Sequence, residues 1–167
     1  DVCSSDLLNQ DSTLTITEPY ESKSYVNLTI QMLAKFGIEI IETSSNSYLI
    51  KGNQHYKAQD VSVEGDFSQL AFFAVLGTLN NTLSCSNMDM SSKQGDKAIL
   101  DCIPSFTSNK DTITFTKKQP APQTIDLSNC PDLGPILCVL ASYTNGETNI
   151  VNAARLRMKE SDRIEAM

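Results

Sequence analysis

The chain has no tryptophan and one histidine, His55, in 167 residues. His55 stands among Gln54, Tyr56 and Lys57, a polar stretch that suits a solvated loop residue better than a metal ligand. No apolar run approaches the about 20 residues that a membrane-spanning helix needs. The N-terminus lacks a basic region followed by an apolar core, so no secretory signal is read. Cysteines are not absent, but Cys-x-x-Cys spacing is: Cys3, Cys85, Cys102, Cys130 and Cys138 are scattered. That disfavours a metal centre or a disulfide framework and suits free thiols in a reducing compartment. An excess of positive charge is also missing. A net charge of −7 argues against a nucleic-acid binder, which needs a basic surface to neutralise phosphates. The expectation is a cytoplasmic protein with no metal, no membrane partner and no nucleic-acid partner.

What is present is an ordinary globular composition, 40% apolar and 20% charged, enough for one medium domain or two small ones. A repeat runs through it. Thr13-Leu14-Thr15-Ile16, Thr82-Leu83-Ser84-Cys85 and Thr148-Asn149-Ile150-Val151 recur at nearly even spacing, each reading as a short strand. After the first copy, Tyr25, Leu28, Met32, Leu33 and Phe36 keep helical spacing, and Gly37 supplies a left-handed stop. Ile38–Thr43 and Ser47–Lys51 follow as two strands around Ser44-Ser45-Asn46. The second copy predicts a helix to about Ile103, then strands near Phe106 and over Asp111–Lys117. Apolar helices are predicted over Asp66–Leu79 and Leu133–Tyr143, with Asp66 and Asp132 placed as N-caps. Each unit reads as β-α-β-α-β-β and cannot bury its apolar faces alone, so neighbouring copies share a core.

The third copy runs into Arg155-Leu156-Arg157-Met158-Lys159-Glu160-Ser161-Asp162-Arg163-Ile164, a segment dense in charge. It follows a strand-like run, Glu147 to Asn152, and reads as a helix start. A strand end feeding a helix start exposes free N–H groups to an anion, and arginine grips a phosphate or carboxylate with two parallel hydrogen bonds. A solvated charged helix face laced by i,i+4 ion pairs is the alternative reading.

That segment resembles the signature of the EPSP synthase (3-phosphoshikimate 1-carboxyvinyltransferase) family. The resemblance extends through Glu21-Ser22-Lys23-Ser24-Tyr25, Glu64-Gly65-Asp66-Phe67-Ser68, Lys93-Gln94-Gly95-Asp96 and Pro131-Asp132, in matching order and spacing. It implies an α/β fold of repeated βαβαββ units, the inverse α/β barrel of that family. Two domains of three units each carry helices inside and sheets outside, with a cleft between the domains. Residues 8–62 would be the last unit of the first domain, and 63–167 a partial second domain of about two units. Leu70–Leu76 and Ile136–Ala141, apolar nearly all round, would be buried helices.

The resemblance also implies the reaction: enolpyruvyl transfer from phosphoenolpyruvate to the 5-hydroxyl of shikimate 3-phosphate, with release of phosphate, in the shikimate pathway. No cofactor is implied, and the full-length enzyme would be a monomer. Asp132 matches the position of the base, against an N-cap reading. Lys159 and Glu160 match the catalytic Lys-Glu pair. Lys159 would bridge the hydroxyl and phosphoenolpyruvate, and Glu160 would protonate the methylene carbon, a role that needs a raised pKa. Arg163, one helical turn on, matches a phosphoenolpyruvate ligand. Ser22, Tyr25, Asp132, Arg155 and Lys159 would bind shikimate 3-phosphate. Arg155 stands where some members carry asparagine on the substrate ring. Tyr25 could instead begin the core stripe, and Lys93–Asp96 would serve a helix start rather than chemistry.

Asp1–Leu7 break the resemblance and read like translated sequencing adapter. The expectation is an artefactual or disordered tail on an internal fragment of a longer protein. The N-terminal Lys-Ser…Arg element, the Gly-rich loop, the Ser-Ser-Gln element and two later cationic positions of the family fall outside this chain. Residues 1–167 alone are therefore expected to be inactive. Two rivals are a UDP-N-acetylglucosamine enolpyruvyl transferase-like enzyme, which relies on a reactive loop cysteine, and a non-catalytic anion-binding module.

Overall fold

The computed structural model describes residues 7–167; Asp1–Asp6, most of the expected tail, lie outside the described residues. The chain divides into two compact units, Asp1–Ser62 and Val63–Met167.

The first unit runs β1 (Ser12–Thr15), α1 (Lys23–Lys35), β2 (Ile40–Ser44) and β3 (Ser47–Ile50). Its antiparallel sheet has the order β1-β3-β2. β3 alternates, burying Tyr48 and Ile50 on one face, as a half-buried strand must. α1 stops where Gly37 takes φ +85°. Gly37 N–H donates to Ala34 O and Ile38 N–H to Leu33 O, both at 3.0 Å. Leu33 and Ile38, the accompanying apolar pair, are both buried, which completes a Schellman motif. The predicted core stripe is narrower than its spacing suggested. Met32 is exposed, while Val26 and Ile30 join Tyr25 along an apolar cleft over the sheet.

The second unit begins with α2 (Phe67–Leu79), capped by Asp66, whose carboxylate accepts from Ser68 N–H. β4 (Leu83–Cys85) follows, then a 3₁₀ turn, Gly95–Ala98, leading into the single-turn α3 (Ile99–Cys102). The helix ends close to the predicted Ile103, which Pro104 drives into extended backbone, but its first turn, Gly95–Ala98, is 3₁₀. β5 (Phe106–Asn109) and β6 (Thr112–Phe115) complete a second sheet, order β4-β6-β5. β7 (Thr124–Asp126), a 3₁₀ turn at Pro131–Leu133, α4 (Gly134–Ser142) and β8 (Asn149–Val151) then form a βαβ crossover, with β7 and β8 parallel. The chain ends in a 3₁₀ turn, Ala154–Met158, and α5 (Arg163–Ala166). Phe67, Ile113, Phe115, Leu133 and Leu137 are fully buried in one core shared by the β4-β6-β5 sheet, the β7-β8 pair and α2, α3 and α4.

Two expectations are corrected. First, α2 and α4 are not covered all round. They pack on each other, but Phe72 at 51%, Leu76 at 50% and Val139 at 46% stay exposed, because the elements packed on each helix leave one side of it uncovered. Second, the first repeat lacks the counterpart of β7. Residues 53–66 hold no regular element, and Val63 is 75% exposed.

Candidate active site

β7 and β8 lie side by side and point the same way, so both chains leave the sheet at one edge. Beyond β7 come Cys130, Pro131 and Asp132; beyond β8 comes the charged segment. In open α/β sheets, ligands gather outside the carboxyl ends of parallel strands. The exits are pinned. Leu127 N–H donates to Val151 O at 3.0 Å, and the Asn152 side chain bonds Asp126. Asn152 takes φ +56°, turning the chain from β8 into the 3₁₀ turn.

That turn buries Leu156 against the start of α4. A Cβ on Gly134 would lie 2.6 Å from Leu156 Cδ1 and 3.3 Å from Leu127 Cδ1. A side chain there would have to push Leu156 aside, so the glycine allows the close approach that brings the Asp132 turn against the charged segment.

The result is a connected set of charges. Lys159 Nζ lies 2.9 Å from Asp132 Oδ1, and Arg163 Nη1 lies 3.6 Å from the same oxygen. Arg163 Nη2 holds Glu160 Oε2 at 2.7 Å. Asp132, Lys159 and Arg163 are half-buried, whereas the Glu160 side chain is 80% exposed. The Glu160 carboxyl is held below its ordinary value by its own backbone N–H, then by the bond and charge of Arg163, with a smaller effect of Lys159. The raised pKa expected of a proton donor is therefore not found here, because the carboxylate is solvated and paired.

Two readings of this region change. Lys159 and Arg163 do not share one helix: Lys159 ends the 3₁₀ turn in extended backbone. α5 starts afresh at Asp162, whose carboxylate accepts from Ile164 and Glu165 N–H. Asp132 is not an N-cap; it sits inside the 3₁₀ turn, and the residue before α4 is Leu133. Arg155 lies half-buried in the 3₁₀ turn beside Leu156. Sequence reasoning gave no separate role to Arg157 or Asp162, which pair at 2.6 Å. The capping-box spacing Asp162-x-x-Glu165 was the available signal.

Ser22 and Tyr25 belong to the first unit. Ser22 precedes α1 with φ 58° and makes no side-chain capping bond, so the ordinary N-cap role is not what its hydroxyl serves. A non-glycine residue held there is costly and is typical of functional turns. Tyr25 N–H donates to Ser22 O at 3.1 Å, and its ring lines the apolar cleft. Neighbouring Lys23 is tied to Glu42 Oε1 at 2.6 Å and Ser45 O at 3.0 Å. The equivalent turn of the second repeat is structural. Gln94 accepts from Phe67 N–H at 2.8 Å and donates to Glu64 Oε1 and Gly65 O, both at 2.9 Å.

The four described thiols are poorly suited to nucleophilic work. Burial pushes Cys130 up to about 12 and Cys102 to about 11, and raises Cys85 and Cys138 as well. Reactive cysteines have lowered values.

The fold and site define a repeated α/β protein with a cationic and acidic cluster at the ends of two parallel strands. The profile of the family EPSP synthase (3-phosphoshikimate 1-carboxyvinyltransferase) matches residues 4–167. The chain belongs to this family. It is 49% identical over 162 residues to the 3-phosphoshikimate 1-carboxyvinyltransferase of Clostridium acetobutylicum and 47% identical over 164 residues to that of Clostridium novyi. Each match covers 96% of this chain and 38% of the relative, so the chain spans well under half the length of these curated relatives. In fold it is similar to an EPSP synthase from Acinetobacter baumannii, with TM-score 0.69 and 20% identity over 94% of this chain and 38% of that one. It is equally similar to the enolpyruvyl transferase NikO from Streptomyces tendae, with TM-score 0.69 and 17% identity over 89% of this chain and 37% of that one. Among the described residues, no helix is long and apolar enough to cross a membrane.

Proposed function

We propose that the full-length protein transfers the enolpyruvyl group of phosphoenolpyruvate to the 5-hydroxyl of shikimate 3-phosphate. The observation that carries this reading is the contact of Asp132 with both Lys159 and Arg163, with Glu160 on Arg163. A base, two cations and a carboxylic acid are what the reaction requires. Asp132 takes the hydroxyl proton as the oxygen bonds to carbon 2 of phosphoenolpyruvate. Glu160 gives a proton to the methylene carbon, which makes a methyl group and a tetrahedral intermediate. Loss of a methyl proton and of phosphate then restores the double bond. Lys159 offsets the charge that develops on the attacking and leaving oxygens.

Arg163 binds phosphoenolpyruvate in this scheme. Drawing its guanidinium to the substrate removes one of the groups that depress Glu160, its own backbone N–H being the larger, and closure of the site raises the carboxyl. Ser22 and Tyr25 bind the 3-phosphate side of shikimate 3-phosphate, and the left-handed Ser22, whose hydroxyl does not cap α1, supports that role. Arg155 contacts the substrate ring. The full-length enzyme acts in the cytoplasm as a monomer without a cofactor, and residues 1–167 alone do not turn over. The raised thiols favour this reading over a cysteine-dependent UDP-N-acetylglucosamine transferase.

The test is phosphate release from the two substrates by the full-length protein and its Lys159→Ala variant. Turnover that collapses in the variant supports the assignment. No turnover by a folded full-length wild type would leave the cluster as an anion-binding module.

A further inference from the structure

Lys159 and Glu160 sit on a short loop between the last 3₁₀ turn and α5, and Arg157 and Asp162 stand at its two ends. Arg157 Nη1 donates to Asp162 Oδ2 at 2.6 Å. The other oxygen, Oδ1, accepts from Ile164 N–H at 3.1 Å and Glu165 N–H at 3.0 Å. Asp162 is thus engaged by the protein through both oxygens: one closes the loop and the other starts α5. Arg157 is fixed in turn by its neighbour Leu156, which is 1% exposed and pressed against Gly134. The core therefore holds one end of the loop, and Arg157 passes that position to the other end.

We propose that the Arg157–Asp162 ion pair is a bracket that positions Lys159, Glu160 and Arg163 against Asp132, and that Arg157 makes no substrate contact of its own. This rests on the enolpyruvyl-transfer reading above. Lys159 leaves the 3₁₀ turn in extended backbone, with φ −81° and ψ −165°, so the loop's course depends on where it rejoins regular structure. That point is Asp162. The Lys159–Asp132 contact of 2.9 Å leaves little slack, and a displacement of about 1 Å at a reacting group costs about a hundredfold in rate. The paired side chains are 52% and 38% exposed, and exposed pairs add little to global stability. The bracket therefore acts on rate rather than on melting.

The experiment compares full-length wild type with Arg157→Gln, Asp162→Asn, the double variant and Arg157→Lys. It reads kcat, KM for each substrate, and Tm. Asparagine keeps a capping oxygen for α5, so Asp162→Asn removes chiefly the ion pair. Each neutral variant is expected to lower kcat about tenfold or more, with Tm and both KM values nearly unchanged. The double variant is expected to be no slower than the slower single, because both remove one contact. Arg157→Lys keeps the charge and is expected to recover most of the rate. Unchanged kcat in Arg157→Gln, independent losses that multiply in the double variant, or a rise confined to KM would overturn the bracket. A collapse of Tm in Arg157→Gln would overturn it too, by making the pair a fold determinant. An inactive wild type would instead sink the enolpyruvyl reading itself.

Discussion

Lys159 Nζ lies 2.9 Å from Asp132 Oδ1, and this contact joins the segments that leave two neighbouring parallel strands. Residues far apart in sequence meet because β7 and β8 share one edge and Gly134 admits Leu156 beside the start of α4. Asp132→Asn in the full-length protein keeps the shape and removes the carboxylate proposed as the base. Turnover should fall about 10²- to 10⁴-fold, with the circular dichroism spectrum unchanged. Full activity in that variant would assign Asp132 to charge balance alone.

Two thiols, the buried Cys130 and the half-buried Cys102, should set an alkaline limit. Cys130 and Cys102 titrate at about 12 and about 11 in the fold, against an ordinary value of 9.0. Their folded values are raised, so their contribution is fully present below pH 9 and is lost as pH rises through the folded values. Urea midpoints should drop between pH 9 and 11 more steeply for wild type than for a Cys102→Ser/Cys130→Ser variant. Parallel profiles would show that these thiols ionise alike in both states.

Leu137 fills the core beneath α4 with no exposed surface. Leu137→Ala should cost about 2–5 kcal/mol, the transfer term plus the cavity term. Hydrogen exchange of the α4 amides in the full-length protein would report the loss. Protection equal to wild type would mean that the surrounding side chains collapse into the space.

Gly37 ends α1 with φ +85°. Gly37→Ala should cost about 1–2 kcal/mol, because a Cβ in the left-handed region meets the following carbonyl. The change should speed exchange at the C-terminal amides of α1 and leave α4 alone. An unaffected α1 would show that the helix end has another stop available.

Where one residue carries a local rule, the sequence reading matches the structure at Gly37 and Asp66, though not at Asp132. Gly37 stops α1 and Asp66 caps α2, because each acts on backbone a few residues away. The strand pair around Ser45 and Asn46 is of the same kind. The charged segment is different. Arg155 to Arg163 has the spacing of a helical ion-pair face, yet Lys159 and Arg163 reach Asp132, far back in the chain. Spacing alone does not encode that partner, and Asp162 restarts the backbone midway. Phe72, Leu76 and Val139 make the same point in the core. Their pattern calls for burial but does not name the surface that provides it. Family resemblance drew Asp132, Lys159, Glu160 and Arg163 together; the Arg157–Asp162 pair needed coordinates.

Each three-stranded sheet is completed by one uninterrupted stretch of chain, residues 12–50 for β1-β3-β2 and residues 83–115 for β4-β6-β5. No strand is lent from one stretch to the other. A gene for such a chain can be divided between the stretches without opening a sheet. The step from Ser62 to Val63 is the natural site at which to cut the gene so that each unit is expressed and studied by itself.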